Sequence, residues 1–493
     1  MKIYRERLWI RLPGTVIITA ILMVYGSCKS KSDSVPVPLP SPDSTGKATV
    51  WLTKGDKSKL FSNEGKLEIT GTATAGLPLV TIDTSQRFQT IEGFGAALTG
   101  SSAYLLNRNL DAASRSAILK NLFDPVSGIG ISSLRLTIGA SDFSPSYYTY
   151  DDLATGETDF TLQNFTLEKD LTDVIPVLKE ITGYAPEIRL IGSPWSAPAW
   201  MKTSGSLVGG KLRTNCYDTY AGYFIRYIQE MKNQGINISA ITPQNEPLYS
   251  TATYPCMEMQ DTDQVVFIRD HLGPKFQSAG IITKIIIYDH NWDHPEYPIS
   301  VLSDASARSY ISGSAFHGYS GDVSSMSTVH YADPDKDLYF TEISGGTWAT
   351  NFSDNLMWNM KNIFIGTMQN WSKCALLWNL VLDQNGAPHE NGQSTCRGVL
   401  TLNTSGGQIT FNEEYYSIAH FSKFVRPGAV RIALQLTQGQ AAGIEAVAFQ
   451  NPDGSKVMVV CNYSNTAQGF SVKQGNNNFA FSFPAVSVVT IVW

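Results

Sequence analysis

Two glutamates stand at the ends of short apolar stretches of the kind that form β-strands. Glu246 lies in Thr242-Pro-Gln-Asn-Glu-Pro247, where two prolines must end the strand because proline has no N–H to give to a strand ladder. Glu342 ends Leu338-Tyr-Phe-Thr-Glu342 and is followed by Ile343-Ser-Gly-Gly346. Either glutamate alone is most simply an ordinary charged residue at a strand end. Two carboxyl groups that converge from two strand ends can act as the acid/base pair that cleaves a glycosidic bond.

The segments that could bring the two glutamates together are eight strand-like runs, most of them separated by helical patterns. The strand-like runs are Thr90–Leu98, Ile131–Ile138, Glu187–Ser193, Ile238–Thr242, Ile281–Tyr288, Ser312–Phe316, Leu338–Thr341 and Cys374–Leu382. The helical patterns are Asp111–Phe123, Thr166–Ile181, Tyr217–Lys232, Thr262–Ala279 and Asp354–Trp371. Strands joined through helices run parallel, and eight such units predict a closed (β/α)8 barrel over residues 83–425, an α/β fold.

A β-sandwich is expected beside the barrel. After a final helix at Ile418–Val425, residues 426–493 form six short strand patterns separated by Asn, Gly and Pro turns. Residues 48–82 show similar short alternations and would otherwise have no partner strands. We therefore expect these N-terminal strands to complete the sandwich.

The first 47 residues have the composition of an export signal followed by a tether. Four basic residues precede a nine-residue apolar run at Val16–Val24, which is too short to span a bilayer. Gly26-Ser27-Cys28 resembles a bacterial lipoprotein cleavage site, so residues 1–28 predict a signal peptide with Cys28 as the lipid-bearing residue. Residues 29–47 are rich in Ser, Pro and Asp and predict a disordered linker. The expected location is the periplasm or cell surface, on a membrane anchor; free secretion is the alternative.

Charge and cysteine content exclude several classes of partner. The net charge of −6 argues against nucleic acid or anionic lipid as a ligand. Five cysteines follow Cys28, an odd number without a C-x-x-C pattern, so a metal cluster is not expected and the pairs Cys216–Cys256 and Cys374–Cys396 stay undecided. His290 and His294 have i, i+4 spacing but lie in a proline-rich stretch without a third ligand. No metal or other cofactor is expected, since two carboxylates suffice for glycosidic cleavage.

Polar and aromatic residues recur at the predicted strand ends, where a (β/α)8 barrel collects its active groups. These strand-end segments are Glu92-Gly-Phe-Gly-Ala96, Arg135 with Ser141-Asp-Phe143, Ser193-Pro-Trp195, Asn245-Glu246, Tyr288-Asp-His-Asn291, Phe316-His-Gly-Tyr319, Glu342 and Trp378-Asn379. A purely structural strand would close with a simple turn. All eight together therefore predict a binding cleft.

The chain resembles glycoside hydrolase family 30, the glucosylceramidase-like branch of the retaining (β/α)8 glycosidases. The resemblance covers residues 85–425, and a β-sandwich beside the barrel is also a family trait. The segments that carry it are Gln89-Thr-Ile-Glu-Gly-Phe-Gly-Ala-Ala-Leu-Thr99, Leu134-Arg-Leu-Thr-Ile-Gly-Ala-Ser-Asp-Phe143, Gly192-Ser-Pro-Trp-Ser-Ala-Pro-Ala-Trp-Met201, Thr242-Pro-Gln-Asn-Glu-Pro247, Thr341-Glu-Ile343, Trp378-Asn-Leu380 and His420-Phe-Ser-Lys-Phe424.

The resemblance implies a role for each matching residue in a double-displacement mechanism with retention. Glu246 would be the general acid/base and Glu342 the nucleophile, with Arg135 keeping Glu342 ionised. The remaining matches have supporting or substrate-binding roles: Tyr319 bonding Glu342, Asn245 binding the sugar 2-hydroxyl, Asp142 and Trp195 holding outer hydroxyls, Trp378 as a stacking floor, and His317 and Asn379 lining the pocket. Without the resemblance, Arg135 is equally well a structural ion-pair partner, and the two tryptophans are core residues.

One departure from the family pattern bears on the substrate. Many members carry a tryptophan between the histidine and tyrosine of the sixth strand, and here the residue is Gly318, which we expect to open one side of the cleft. Together with Asp289-His-Asn-Trp292, this resembles the β-1,6-glucanase subgroup and predicts an endo-β-1,6-glucanase acting on a polysaccharide. A glucosylceramidase, β-glucosidase or β-xylosidase on the same scaffold is the first alternative.

Two readings outside that group are weaker. A surface glycan-binding protein without catalysis would gain little from two adjacent carboxylates that repel each other when ionised. A Ser-His-Asp hydrolase would need a nucleophile elbow, and the sequence has no G-x-S-x-G.

Overall fold

Eight parallel strands close into a barrel in which each strand pairs with its neighbours in sequence and the last pairs with the first. The computed structural model describes residues 46–390, 392, 394–437 and 442–493. The proposed signal segment, Cys28 and all but the end of the linker lie outside these residues. The barrel strands are Gly93–Leu98, Ser133–Thr137, Arg189–Ser193, Ala240–Ile241, Lys284–Asn291, Ile311–His317, Asp337–Glu342 and Ser372–Leu377.

Helices lie outside the barrel, and all but the last of them connect successive strands. They span Gly100–Arg108, Ala112–Phe123, Val174–Tyr184, Tyr217–Asn233, Asp261–Ser278, Glu296–Ser303, Ala305–Tyr310, Ser324–Ala332, Phe352–Gln369 and Glu413–Ser422. Two of these contain a π-helical segment, at Phe267–Leu272 and at Asn359–Ile365. The crossovers give the parallel barrel that the alternating sequence pattern predicts.

For two helices, the difference between the sequence prediction and the structure has an identifiable reason. The helix predicted from Thr166 begins only at Val174, because Asp170 is held by hydrogen bonds from the hydroxyls of Tyr148 and Tyr150, which fix the preceding segment as turns. The helix Gly100–Arg108 was not predicted, since it opens with Gly-Ser-Ser, which are poor helix formers. There the Thr99 side chain accepts a hydrogen bond from the backbone N–H of Ser102 and caps the helix.

The first barrel strand lies further along the chain than predicted. It spans Gly93–Leu98, so Glu92 sits at the N-terminal end of the barrel, opposite the cleft. There Glu92 accepts a hydrogen bond of 2.6 Å from Lys284 and lies 3.2 Å from Lys373. The placement of Glu92 among the cleft residues is therefore wrong, and its role is an ion-pair network that holds the closed end of the barrel.

A second sheet has nine strands, which pair antiparallel except for one parallel pair. Its strands are Lys47–Lys54, Ser62–Glu68, Leu79–Thr90, Val430–Leu436, Ile444–Gln450, Lys456–Asn462, Gln468–Gln474, Asn477–Phe483 and Ser487–Val492. Lys47–Lys54 pairs with Ser487–Val492, and Leu79–Thr90 lies between Val430–Leu436 and Gln468–Gln474. The N-terminal strands thus complete the sandwich. Because Leu79–Thr90 is one continuous strand of it, residues 83–90 lie in the sandwich rather than the barrel.

The sheet folds over a core of its own. Backbone bonds of 2.7 and 2.9 Å between Thr70 and Asn478 join its two ends. Apolar side chains from both ends of the chain fill the space between, among them Val50, Val80 and Ile491. The result is a second hydrophobic core beside that of the barrel.

One helix connects the two domains. In Glu413–Ser422 the fully buried ring of His420 lies between two sandwich threonines, with Nδ1 2.8 Å from Thr490 Oγ1 and Nε2 2.8 Å from Thr53 Oγ1. Thr490 donates its own proton to the His420 carbonyl, and Thr53 accepts from the Phe61 amide. The ring is therefore neutral with its proton on Nδ1, and burial lowers its pKa to about 3.

The five cysteines downstream of residue 45 are free thiols. Neither of the undecided pairs, Cys216–Cys256 or Cys374–Cys396, is a disulfide in the structure. Among the described residues, no helix combines the length and the apolar character needed to cross a bilayer.

Candidate active site

The two glutamates meet at the open end of the barrel. Glu342 is the last residue of the seventh strand, and Glu246 follows the short fourth strand. One carboxylate oxygen of each lies within 4.8 Å of the other. The backbone of Glu246 has a φ of +43°, an unfavourable value for a side-chain-bearing residue, and its N–H donates to the Asp289 carbonyl at 3.0 Å. Strain at this position is typical of a functional group held in a fixed direction.

Arg135 is the fully buried centre of the site. Its Nη1 forms an ion pair with Glu342 Oε2, and its Nη2 donates to Asn245 Oδ1 and to Asp289 Oδ2, each at 2.7 Å. The guanidinium also lies 4.8 Å from the Trp195 ring centroid. One side chain thus orients Glu342 and the Asn245 amide at once. The Asn245 oxygen is taken up by Arg135, so its NH₂ group is the part left to meet a ligand.

Asp289 is a central residue that sequence reasoning did not assign. It lies near the end of the fifth barrel strand and is fully buried. Three hydroxyls donate to its carboxylate: Ser193 at 2.7 Å, Thr242 at 2.9 Å and Thr341 at 2.7 Å. Although burial opposes its ionisation, Arg135 and His317 hold the pKa of Asp289 well below its usual range. The available signal was an acidic residue directly after an apolar strand pattern.

His317 joins Asp289 to Glu246. Its Nε2 lies 3.1 Å from Asp289 Oδ1 and its Nδ1 lies 2.9 Å from Glu246 Oε1. Burial opposes the charged imidazolium, but the carboxylates of Glu342, Asp289 and Glu246 raise the pKa of His317 to about 9. Burial likewise favours a neutral Glu246, yet the bond from His317 lowers the pKa of Glu246 below its ordinary value. In the free protein the shared proton therefore rests on His317.

Glu342 is bound on both oxygens. The Tyr319 hydroxyl donates to Oε1 at 2.9 Å while Arg135 holds Oε2. Burial raises the pKa of Glu342 above its ordinary value, and the positive charges of His317 and Arg135 oppose that rise. Tyr319 itself is 44% exposed, so the tyrosine forms part of the cleft wall as well as bonding Glu342.

The predicted sugar-binding residues gather beside these carboxylates. Trp195 and Trp378 stack with ring centroids 5.0 Å apart, and both are almost fully buried. Burial, with the charges of Glu342 and Glu246, raises the pKa of Asp142 to about 8. The Oδ1 atom of Asp142 has no hydrogen-bond partner within the described part of the chain. A protonated Asp142 can therefore donate a hydrogen bond to a ligand oxygen.

Asn379, which the sequence predicts to bind substrate, has a side chain that bonds to the protein itself. Its Oδ1 accepts a 3.0 Å hydrogen bond from Thr99, and its side chain is fully buried. Its Nδ2 has no partner among the described residues. The contacts that the structure provides are with the end of the first strand, and a contact with substrate remains a prediction.

Gly318 does not open the cleft. A Cβ placed on it would lie 3.2 Å from Phe340, 3.3 Å from Trp292 and 3.4 Å from Ile363, all behind the barrel wall. Alternate residues of a strand point to opposite faces, so His317 faces into the site and position 318 faces the surrounding helices. The expectation that a missing tryptophan side chain widens the cleft is therefore wrong. The indole of Trp292 fills part of that space instead.

Glu246, His317 and Glu342 could also offer three ligand atoms to a metal ion, all within 4.8 Å of one another. Each of these side chains is already bonded by a protein partner: Glu246 by His317, His317 also by Asp289, and Glu342 by Arg135 and Tyr319. The arrangement is a hydrogen-bonded set of carboxylates around two cations. Its chemistry is proton transfer combined with nucleophilic attack by a carboxylate.

Comparison with known proteins agrees with this geometry. The model of the glycosyl hydrolase family 30 TIM-barrel domain matches residues 91–425, and that of the family 30 β-sandwich domain matches residues 428–491. The chain is 37% identical to the endo-1,6-β-D-glucanase of Neurospora crassa, over 82% of this chain and 86% of that protein. It is 28% identical to the lysosomal acid glucosylceramidase of Mus musculus, over 98% of this chain and 99% of that protein.

A solved structure is similar over nearly its whole length. The endo-β1,6-glucanase BT3312 superposes with a TM-score of 0.85 at 35% sequence identity, covering 91% of this chain and 99% of that one. The superposed length includes both barrel and sandwich, since neither alone amounts to that share of this chain.

Proposed function

Because this chain belongs to glycosyl hydrolase family 30, we propose that it is an endo-β-1,6-glucanase that cleaves with retention. The main support for this proposal is the similarity of the chain, at 35–37% identity over most of both chains, to two proteins named as β-1,6-glucanases. The separation of the two glutamates supports retention, which requires carboxyl groups about 5–5.5 Å apart, whereas inversion needs roughly 6.5–9.5 Å. Nearest oxygens within 4.8 Å are compatible with the shorter range.

In the first step Glu342 attacks the anomeric carbon. A bond forms between a Glu342 oxygen and that carbon while the bond to the leaving glucosyl oxygen breaks, and Glu246 gives a proton to the leaving oxygen. Arg135 and Tyr319 fix the attacking carboxylate by its two oxygens. The product is a glycosyl ester on Glu342 and a glucan chain with a new free hydroxyl.

His317 supplies the proton that Glu246 needs. At neutral pH the proton lies on Nδ1 of His317, 2.9 Å from Glu246 Oε1. It can pass through this bond to Glu246, which then protonates the leaving oxygen. Glu342 is foremost among the carboxylates that raise the pKa of His317, so its esterification favours loss of that proton.

In the second step water hydrolyses the glycosyl ester on Glu342. Glu246, now a carboxylate beside a neutral His317, accepts a proton from water as the water oxygen bonds the anomeric carbon and the ester bond breaks. Glu342 recovers its charge, and the proton returns from Glu246 to His317. Asn245, Asp142, Trp195 and Trp378 would hold the sugar ring during both steps.

The test is product release from a linear β-1,6-glucan, with Glu342→Gln as the inactive control. Oligosaccharides of mixed length from the wild type, absent in the variant, are the expected result. Glucose as the sole product would indicate an exo-acting enzyme and contradict the proposal. If the enzyme turns over an aryl β-glucoside but releases nothing from the glucan, it is a β-glycoside hydrolase whose specificity is not for β-1,6 linkages.

We further propose that the protein is exported and held on a membrane through Cys28. The support is the order of basic residues, apolar run and Gly26-Ser27-Cys28 in the sequence. Mass spectrometry of the mature N-terminus should find diacylglycerol on Cys28. Cys28→Ser should move the enzyme to the soluble fraction, and an unmodified mature N-terminus elsewhere in the chain would contradict the anchor.

A further inference from the structure

A second cavity lies outside the group of catalytic side chains. It has a volume of about 420 Å³, within the range of ligand-binding pockets, and opens between the segments that follow the third and fourth barrel strands. None of the carboxylates assigned to catalysis lines it. Its lining residues are Thr203, Lys211, Leu212, Arg213, Thr214, Asn215, Tyr217, Glu258, Met259 and Asp263.

The two segments are tied together before any ligand arrives. The fully buried Lys202 donates from Nζ to Ser196 Oγ, the Leu207 carbonyl and the Cys256 carbonyl, at 2.6–2.7 Å. A backbone bridge joins Lys211 to Glu258 across the cavity wall. A cavity fixed in this way loses little conformational freedom on binding, which favours a ligand site over a gap between loops.

Two donor groups in the cavity make no hydrogen bond to the described part of the chain. Tyr217 is only 4% exposed, yet its hydroxyl makes no hydrogen bond within the described part of the chain. The Arg213 side chain is exposed, and its guanidinium likewise has no ion pair or hydrogen bond there. Both groups are therefore available to bond a ligand oxygen in place of water.

The charges of the lining favour a neutral ligand. Lys211 and Arg213 are balanced by Glu258 and Asp263, and Lys211 Nζ lies 3.2 Å from Glu258 Oε1. An anion would meet the two carboxylates and a cation the two basic groups. A sugar offers neighbouring hydroxyls that both donate and accept, which matches the mixed set of Arg213, Asn215, Tyr217 and Glu258 side chains.

We propose that this cavity is a second saccharide-binding site, which holds a segment of β-1,6-glucan other than the one being cleaved. The segments that build it also carry Trp195 and Glu246 to the catalytic centre, so both sites lie at the same end of the barrel. A polymer can therefore contact both, whereas a short substrate contacts only the catalytic centre. The choice of glucan rests on the proposed function.

The kinetic test compares a polymer with an aryl β-glucoside. Arg213→Ala and Tyr217→Phe should each raise KM for β-1,6-glucan about fivefold, the effect of losing one hydrogen bond, with kcat unchanged. Neither should alter the kinetics on the aryl glucoside, which shows that the catalytic centre is intact. Tyr217→Phe keeps the ring contacts with Phe267 and His271. Arg87→Ala, on the sandwich sheet, is the matched control and should leave both substrates unaffected.

A binding test separates this inference from the proposed function. In the Glu342→Gln background, titration with a β-1,6-linked gluco-oligosaccharide should give two sites per chain, and Arg213→Ala should weaken one of them about fivefold. The inference of a second site alone would be overturned if the wild type cleaves the glucan but Glu342→Gln binds the oligosaccharide at one site, with the same affinity with and without Arg213→Ala. A wild type that turns over the aryl glucoside but neither cleaves nor binds β-1,6-glucan would overturn the proposed function, and this inference with it.

Discussion

At the scale of single residues, Asp289 determines the charge state of the catalytic centre. Among the described residues it is the one carboxylate that pairs with both Arg135 and His317, and it is fully buried. Because Asp289 balances these cations, Arg135 can hold Glu342 and His317 can hold a proton for Glu246. In the proposed mechanism, a fully buried residue thus sets the conditions for Glu246 and Glu342, which act on the substrate.

Replacement of Asp289 by asparagine should therefore affect both stability and pH dependence. Removing one partner from a buried ion pair costs about 3–5 kcal/mol, which thermal unfolding would detect. The loss of an anion beside His317 lowers the pKa of that imidazole, so its proton is lost at lower pH. The basic limb of the pH–rate profile should shift to lower pH. An unshifted limb in a folded variant would contradict a proton held by His317.

The proposed roles of the two glutamates predict different responses to the leaving group. Glu246→Gln removes the proton donor, so cleavage of glucan should fall by about 10²–10⁴. Formation of the glycosyl ester from an aryl glucoside with an acidic phenol should persist, because that phenol needs no proton. Stopped-flow measurement should therefore show a burst of phenol in Glu246→Gln and none in Glu342→Gln. Bursts in neither or in both would contradict the assignment.

At the scale of elements, the helix Glu413–Ser422 links the stability of the barrel to that of the sandwich. His420 on this helix bonds Thr53 from one end of the chain and Thr490 from the other. The aromatic ring of Phe421, next to it, packs against Phe94 of the barrel and Phe449 of the sandwich. Contacts of this kind on one helix favour joint unfolding of the two domains.

His420 should make that junction sensitive to acid. Burial depresses its pKa in the folded chain to about 3, against roughly 6.5 when unfolded, so only the unfolded chain binds a proton between these values. Its contribution to stability is complete above about pH 6.5 and is lost as the pH falls. At pH 5 the loss is about 2 kcal/mol.

Chemical unfolding at pH 7 and pH 5 would measure this effect. His420→Gln can keep a hydrogen bond to a threonine but cannot be protonated. The variant should lose about 2 kcal/mol less than the wild type between the two pH values. Equal losses in both proteins would contradict a titrating role for His420.

The sequence predicted the strand order well because barrel strands are buried and leave strong apolar patterns. It also identified Glu246, Glu342, Arg135 and Tyr319, whose contacts the structure brings together. It failed where a side chain's direction depends on where a strand ends. Gly318 faces the helices because the sixth strand continues to His317, and a shift of one residue would reverse both faces.

Asp289 was missed for a related reason. Its importance comes from five contacts supplied by other strands, including those of Arg135, His317 and Thr341. None of these partners is close to it in sequence. A pattern confined to neighbouring residues has no information about such long-range contacts.

At the scale of the whole molecule, the sandwich is built from both ends of the chain with the barrel between them. Its core combines Val50 and Val80 with Ile432, Val472 and Ile491. The sandwich therefore cannot form until the barrel sequence between its halves has been spanned. Neither the strands before residue 91 nor those after residue 429 form a removable appendage.

Truncation should show this dependence. A chain that begins at Ile91 loses three sandwich strands and exposes the apolar core, so we expect insoluble protein without aryl glucosidase activity. Removal of residues 1–45 is the matched control and should leave activity and thermal stability unchanged. A soluble, active enzyme from the shorter chain would contradict the dependence.

The pairing of strand Lys47–Lys54 with strand Ser487–Val492 also determines whether the order of the chain could be permuted. Thr49 lies opposite Val492, so the start of the described chain and its end are neighbours in one sheet. A few flexible residues could join them at little entropic expense, and new termini could be opened in an exposed turn of the sandwich such as Gly475. The fold is therefore compatible with circular permutation, with the new termini at a different edge of the sheet.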